Sequence, residues 1–330
     1  MARILVTGAA GFLGSHLCDA LLARGWDVVG LDNFSQGQES NLETCLGSPR
    51  FSLRRGDVLD RAAVRSAAVG ADVIAHLAAF KIPRYGSRLQ TLEINTFGTH
   101  NVLEAARQHG ARVLLASTSD CYGKNSQVPF AETDDSVLGA PTVARWAYAV
   151  SKSMGEHLCL AYHEEHGVPV TIARYFGSYG PRHHLSWWGG PQPVFIDQAL
   201  LGKPLEVHGD GTQSRCFTYV SDTIAATIVL LEANPAVTAG QLFNIGSDQE
   251  ITIGDLARLV WRLIRPDQQP LLEFVPYQSF TGRAYEDVQR RIPDLTKIRQ
   301  LGWHPQVSLE AGLRQAISWQ RAVRAAVRAA

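Results

Sequence analysis

Several features are scarce in this sequence, and each scarcity excludes something. Net charge is absent: 31 Lys and Arg residues offset 31 Asp and Glu in 330, so no long-range field draws the chain to nucleic acid or to an anionic membrane. The five cysteines (Cys18, Cys45, Cys121, Cys159, Cys216) are odd in number and contain no Cys-x-x-Cys spacing. That pattern argues for reduced thiols and against a disulfide framework or a zinc ribbon. No apolar run approaches the ~20 residues that span a bilayer, and the apolar run in the opening Met-Ala-Arg-Ile-Leu-Val-Thr-Gly is too short for a signal peptide. The expectation is a soluble, cytoplasmic protein without a metal site, whose partner is a small molecule. What is present, 45% hydrophobic and 19% charged residues, is the composition of a globular chain, and at ~150 residues per domain its length suggests two domains.

Short β-branched runs alternate with helical patterns. Residues 3–7 read as a strand, Phe12 to Arg24 as a helix closed by Gly25, and Val28–Leu31 as a second strand. Further strand-like runs at Val73–Leu77, Val113–Ala116 and Val170–Ala173 alternate with helical patterns at 92–109 and 146–166. Parallel strands need crossover helices, so this repetition predicts an α/β fold with a Rossmann-type, doubly wound parallel sheet. Past residue 177 the texture turns to Gly, Pro, His and Trp, as in His183-His184-Leu185-Ser186-Trp187-Trp188-Gly189-Gly190. The division expected is a nucleotide-binding domain over 1–176, rejoined by 218–248 through a strand at Gln241–Ile245, and a smaller α/β substrate-binding domain from 177–217 and 249–330.

Gly8-Ala-Ala-Gly11-Phe-Leu-Gly14 follows a strand and opens a helix, the setting in which bare backbone N–H groups can meet a pyrophosphate at a positive helix end. Asp32 ends the next strand, where a carboxylate accepts both ribose hydroxyls and repels a 2′-phosphate, favouring NAD over NADP. Asp57 is either a contact to the adenine amino group or a turn residue.

Tyr148 and Lys152 are spaced i, i+4 in a helical segment and so share one face. An ammonium and a positive nicotinamide would each favour tyrosinate and lower its pKa. Such a tyrosine can take a hydroxyl proton while hydride leaves the same carbon. With only five lysines in the chain, nine tyrosines would meet one at this spacing by chance about 0.14 times. Ser117-Thr118-Ser119-Asp120 follows a strand and brings hydroxyls and a carboxylate to the sheet's carboxyl edge, where doubly wound sheets bind ligands. His183, His184, Trp187 and Trp188 read as a lid over the substrate or as local packing of two tryptophans. Adjacent histidines on a loop are poorly placed to share a metal.

Together with His76-Leu77-Ala78-Ala79, Asn95-Thr96-Phe97-Gly98-Thr99, Arg174 to Arg182 and Leu301-Gly302-Trp303-His304-Pro305, these motifs run through nearly the whole chain. It resembles an extended short-chain dehydrogenase/reductase of the NAD-dependent epimerase/dehydratase family, close to nucleotide-sugar 4-epimerases and UDP-glucuronate decarboxylases. The resemblance implies catalysis by Thr118, Tyr148 and Lys152, with Asp120 beside them. It places NAD among Gly8, Gly11, Phe12, Leu13, Gly14, Asp32, Asn33, Phe34, Ser35, Gly37, Asp57, Val58, Leu77, Ala78, Ala79, Lys81, Asn95, Tyr148, Lys152, Tyr175 and Phe176. It places substrate among Arg84, Ser119, Gly177, Phe195, Arg215 and Arg291, the last two matching arginines that hold the diphosphate or a sugar acid. Gly177 stands where many relatives carry Asn, implying a lost contact and a wider pocket. Asp120 replaces the usual Glu of decarboxylases and dehydratases, and Ser119 the usual Asp of sugar 4,6-dehydratases.

The function expected from these residues is an NAD-dependent 4-epimerase acting on a UDP-sugar through a 4-ketone, with Lys81 matching an epimerase lysine. The alternative is a UDP-glucuronate decarboxylase or related dehydratase. A non-catalytic dinucleotide sensor is the minor reading, disfavoured because Tyr and Lys are both present. Relatives pair the helices at 92–109 and 146–166 across a two-fold axis, so a homodimer through a four-helix bundle is expected, with Leu158, Leu160, Ala161 and Tyr162 on the uncovered stripes.

Overall fold

Most of the strand-like runs are rich in Val, Ile and Leu and apolar on both sides, the pattern of strands covered on both faces, while Phe51–Arg55 is only half-buried and ends in two exposed arginines. In the computed structural model these runs form one sheet. The residues described are 2–81, 86–277, 279 and 286–329, with side chains as far as 326. The strands are β1 (Arg3–Thr7), β2 (Asp27–Asp32), β3 (Phe51–Arg55), β4 (Val73–His76), β5 (Arg112–Thr118), β6 (Val170–Tyr175) and, later in the chain, β11 (Gln241–Ile245). Their order is β11-β6-β5-β4-β1-β2-β3, parallel throughout. The order reverses direction between β1 and β4, which is where such sheets bind ligands.

The helices are α1 (Phe12–Ala23), α2 (Glu43–Leu46), α3 (Arg61–Ala67), α4 (Arg88–His109), α5 (Trp146–His166), α6 (Pro191–Leu201), α7 (Val220–Glu232), α8 (Pro235–Thr238), α9 (Ile253–Ile264) and a C-terminal helix, Leu309–Ala329. On one face of the sheet, Leu5, Ile74, Val113 and Ile172 pack with Val102, Leu103 and Ala106 of α4 and Cys159 and Tyr162 of α5. On the other, Ile4, Val6, Ala75 and Leu114 pack with Leu17 and Leu21 of α1 and Ile224 and Ile228 of α7. That second core continues without a break into Phe195, Leu256, Val260 and Trp261, so the C-terminal part is built onto the sheet. Six short strands complete it in three pairs: β7 (Ser178–Tyr179) with β10 (Thr218–Tyr219), β8 (Leu205–His208) with β13 (Leu272–Val275), and β9 (Ser214–Cys216) with β12 (Glu250–Thr252). Among the described residues no helix is long and apolar enough to cross a membrane.

The stripe expected to stay uncovered on α5 is covered. Leu158 and Leu160 pack on the core, and Tyr162 is buried with its hydroxyl donating to Glu104 at 2.8 Å. The exposed apolar side chains of the two helices are instead Leu89 and Phe97 on α4 and Val150 and Met154 on α5. A 3.6-residue period identifies an apolar face, but which side of it meets the sheet depends on how the helix is rotated.

The turn from β1 into α1 is a very close approach of backbone to backbone. A Cβ on Gly14 would lie 2.0 Å from the Gly8 carbonyl oxygen. Gly14→Ala is expected to lower the unfolding free energy by about 1–3 kcal/mol through overpacking. Gly47→Ala, where the nearest atom would be 3.9 Å away, should leave it unchanged, and denaturant titration of both variants checks the contrast.

Candidate functional site

The carboxyl ends of the strands open into a cleft of about 1190 Å³ that both parts of the chain line. At one end α1 begins with Gly11 as its N-cap and no acidic residue in its first turn, leaving a positive helix end facing the glycine turn. Asp32, buried at the end of β2, accepts the N–H groups of Ala10 at 2.8 Å and Phe34 at 2.7 Å. Burial pushes its pKa up, and these two N–H groups act against the rise. A carboxylate has about four acceptor positions, so Asp32 can brace the glycine turn and still accept two ribose hydroxyls. Cradle, helix end and acid thus suit a dinucleotide without a 2′-phosphate.

Beyond the glycine turn lie the catalytic candidates. Thr118 ends β5 and lines the cleft with Tyr148 of α5, which lies one turn before Lys152. Lys152 was expected to lower the phenol's pKa. Instead, burial pushes the Tyr148 pKa well up, with Asp120 and Cys121 adding to the rise, while Thr118 and Arg291 oppose it. Burial also lowers the Lys152 pKa. The reason is desolvation: in a closed site the phenolate loses water before it gains a cation.

A ladder of alternating charge runs beside Tyr148. Arg291 meets Asp120 at 2.7 Å and Arg145 meets it at 3.2 Å. Arg145 also meets Asp287 at 2.7 Å, as Arg215 does at 2.8 Å, and the Tyr277 hydroxyl donates to Asp287 at 2.6 Å. Burial alone would raise the Asp120 pKa, but Arg291, Arg145 and Arg215 together hold it at about 2. Asp120 is therefore an anion that places arginines and is poorly suited to donate a proton near neutral pH. Asp287 is held down in the same way, and burial brings Arg291 to about 10. Three guanidinium groups face two carboxylates, an excess of one positive charge suited to an anionic substrate.

Of the residues named from sequence, Gly8, Gly11, Phe12, Leu13, Gly14, Asp32, Asn33, Ser35, Gly37, Val58, Leu77, Ala78, Ala79, Lys81, Thr118, Ser119, Asp120, Tyr148, Lys152, Tyr175, Gly177, Arg215 and Arg291 line the cleft. Arg84 lies outside the described residues. Five others lie among the described residues but do not line it. Phe195 is fully buried on the inner face of α6, edge-on to Trp187. Phe176 packs with Tyr122 and Phe130, because alternation along the strand sends it away from the side Tyr175 faces. The Asn95 amide is used up on the Phe80 N–H, the Phe80 carbonyl and Ser151, bracing the segment after β4. Asp57 accepts from Asn33 and from the Leu59 N–H, a turn role. Phe34, at φ 58°, lies beneath the Arg55 guanidinium.

At Gly177 the backbone itself leaves no room for a side chain. A Cβ there would lie 2.6 Å from the Cys216 carbonyl oxygen and 3.0 Å from the Phe217 ring, at φ +55°, so the neighbouring strand already fills the space a side chain would take. The two tryptophans do not pack on each other. Trp188 meets Phe80 edge-on at 5.4 Å, and Trp187 stacks on His208 at 4.0 Å. His183 lies 4.1 Å from Phe12, and the loop therefore bridges the sheet-bearing part and the C-terminal part. Sequence reading missed Arg145, Asp287 and Tyr277. Arg145 could have been found from its place three residues before Tyr148, and Asp287 from its nearness to Arg291.

The profile of the NAD dependent epimerase/dehydratase family matches residues 4–246. The chain belongs to that family. Its cofactor is accordingly NAD, which the glycine turn and Asp32 fit. The chain is 39% identical over 325 residues to the UDP-N-acetyl-alpha-D-glucosaminuronate decarboxylase of Bacillus cytotoxicus, covering 97% of this chain and 98% of that protein. It is 38% identical over 316 residues to UDP-glucuronic acid decarboxylase 6 of Arabidopsis thaliana, covering 94% and 86%. Among solved structures it resembles the UDP-glucuronic acid 4-epimerase of Bacillus cereus in complex with UDP-glucuronic acid and NAD, with TM-score 0.85 and 32% identity over 97% and 99% of the two chains. It also resembles the UDP-glucose 4-epimerase of Thermotoga maritima with UDP-glucose, with TM-score 0.86 and 28% identity over 98% and 99%. The decarboxylase alternative is therefore at least as well supported as the epimerase reading placed first from sequence.

The charge ladder makes the protein's acid stability testable. The folded pKa of Asp120 is depressed, so its stabilising contribution is full above its ordinary value near ~4 and is lost as pH falls toward about 2. Arg291→Met removes the leading cation, so the folded pKa of Asp120 rises toward the ordinary value and less stability is lost on acidification. The variant is expected to be less stable than the wild type at pH 7, and denaturant titrations between pH 7 and pH 2 should show the difference shrinking as Asp120 is protonated.

Proposed function

We propose that this chain is an NAD-dependent UDP-hexuronate decarboxylase, acting through oxidation at C4 of the sugar. The observation that carries the reading is the arginine cluster beside Tyr148, centred on Arg291 and its 2.7 Å contact with Asp120, which can hold a sugar carboxylate next to the carbon that is oxidised. Similarity to decarboxylases of two different UDP-hexuronates supports the same substrate class. A second reading, 4-epimerisation of a UDP-hexuronate, is supported by the likeness to the Bacillus cereus enzyme and by the match of Lys81 to an epimerase lysine.

NAD, when bound, supplies the hydride acceptor and later the donor. Tyr148 takes the C4 hydroxyl proton, and Thr118, which lines the cleft with it, shares that proton. Lys152 and the nicotinamide supply the positive charge that a buried phenolate lacks. The C4 ketone makes the C5 carboxylate a β-keto acid, so carbon dioxide can leave and its electron pair passes to the enolate. Arg291 supplies the charge that stabilises that enolate, and Asp120 and Arg145 fix its position. The enol takes a solvent proton at C5, and reduction at C4 yields a UDP-pentose.

UDP-glucuronate and its 2-acetamido counterpart, incubated in deuterium oxide, are expected to give products lighter by carbon dioxide, with deuterium at C5 and none at C4. A product of unchanged mass without deuterium would select the epimerase reading. Tyr148→Phe keeps the ring but loses the acid/base hydroxyl, so turnover should fall at least ~100-fold with NAD still bound.

We also propose a cytoplasmic homodimer in which α4 and α5 meet their copies. Phe97, Val150 and Met154, exposed on these adjoining helices, supply its apolar face. Light scattering at micromolar concentration should give about twice the chain mass of 36.1 kDa, and charged substitutions at Phe97 and Met154 should halve it.

A further inference from the structure

One turn past Lys152 and two past Tyr148 on α5, Glu156 is buried and does not line the cleft. Its carboxylate joins three elements. The Ser117 hydroxyl on β5 donates to Oε1 at 2.5 Å. Arg174 on β6 donates from Nε to Oε1 at 2.9 Å and from Nη2 to Oε2 at 2.7 Å. Ser117 and Arg174 are opposite one another in the β5–β6 register, and the next pair, Thr118 and Tyr175, lines the cleft. Arg174 is itself fixed, its guanidinium 4.6 Å from the Tyr122 ring, whose hydroxyl donates to Asn244 of β11 at 2.7 Å.

A buried ion pair is a poor way to gain stability, because desolvation consumes most of the attraction and apolar packing serves as well. Its geometry is what packing cannot supply: a bidentate fork fixes both distance and angle. We propose that Glu156 is a positioning residue for the reaction. Through Ser117 and Arg174 it sets Thr118 of β5 against Tyr148 of α5, and it supplies the negative charge that Lys152 faces from its own helix. The other titratable groups around Lys152 are Tyr148 and Cys159 on α5, Cys121 in the turn after β5, and His76 on β4. Burial, with Lys152 nearby, holds His76 at about 3, leaving a neutral ring between Thr7 and Thr99. The ion-paired Glu156 favours the ammonium against its burial.

The kinetic arm of the test rests on the oxidation step proposed above, whereas the titration arm does not. The chain has only five lysines, so carbon-13 labelling at lysine Cε resolves Lys152, assigned from its loss in Lys152→Met. In the NAD-bound protein, Glu156→Gln is expected to lower the pH at which Lys152 titrates by about one unit. It should lower kcat for UDP-glucuronate about tenfold, with KM within about twofold, and move the alkaline limb of kcat to lower pH by the same displacement. A lower melting temperature with the Lys152 titration and kcat per folded site unchanged would be the result of a merely structural pair and would overturn the proposal.

If Glu156→Gln does not fold, Ser117→Ala keeps the ion pair and removes the link to β5, together with the weaker 3.5 Å contact of the Ser117 hydroxyl with Cys121. It should lower kcat severalfold at constant KM, and Ser117→Thr should restore it. Unchanged kcat in Ser117→Ala would equally overturn the role. If wild-type protein turns over no UDP-hexuronate, the substrate reading fails, and displacement of the Lys152 titration by Glu156→Gln decides the positioning role by itself.

Discussion

Everything in the site depends on the burial of a parallel sheet on both faces. A strand buried on two sides must be followed by a helix that returns the chain, and every such return leaves the strand ends at one edge. Glycine turn, Asp32, Thr118 and Tyr175 meet in one cleft because β1, β2, β5 and β6 all point the same way. Two separate apolar layers, one with α4 and α5 and the other with α1 and α7, hold that edge rigid. The second layer runs on into the C-terminal part, so the arginines from beyond residue 200 are carried on the same core as the dinucleotide turn.

Within the cleft two electrostatic regimes lie side by side. Around Tyr148 and Lys152 burial dominates, raising the phenol's pKa and lowering the ammonium's, so each is pushed toward its neutral form. Around Asp120 and Asp287 the arginines dominate, and both carboxylates stay ionised despite burial. The first regime needs added positive charge before a proton can move at modest cost. The second stores positive charge without supplying a proton. The first regime suits a cationic cofactor, and the second suits an anionic ligand.

The spacing of Tyr148, Lys152 and Glu156 adds a mechanical link. Two of these side chains line the cleft and the third ties the same helix to β5 and β6, the first of which carries Thr118. The candidate catalytic groups on α5 and β5 come from distant parts of the chain, so their relative placement needs a rigid fork more than it needs apolar area.

Local pattern determined much of this protein from sequence alone: the alternation of strands and helices, the return of Gln241–Ile245 to the sheet, the glycine turn, Asp32 at a strand end and the Tyr148–Lys152 pair. Each of these is carried by residues close together in the chain, where periodicity and turn chemistry act directly. Tertiary structure decided what depends on side-chain direction and distant neighbours. Phe176 and Phe195 carry the right chemistry for a binding site, but strand alternation and helix rotation turned them into the core. Gly177 reads as an opening until the Cys216 carbonyl is seen to fill it. Arg145 and Asp287, 142 residues apart, form one rung of a ladder that no local spacing could reveal. The Tyr148 pKa rises where neighbouring charge alone implied a fall, because a sequence displays the charges around a group but not the water that folding removes from it.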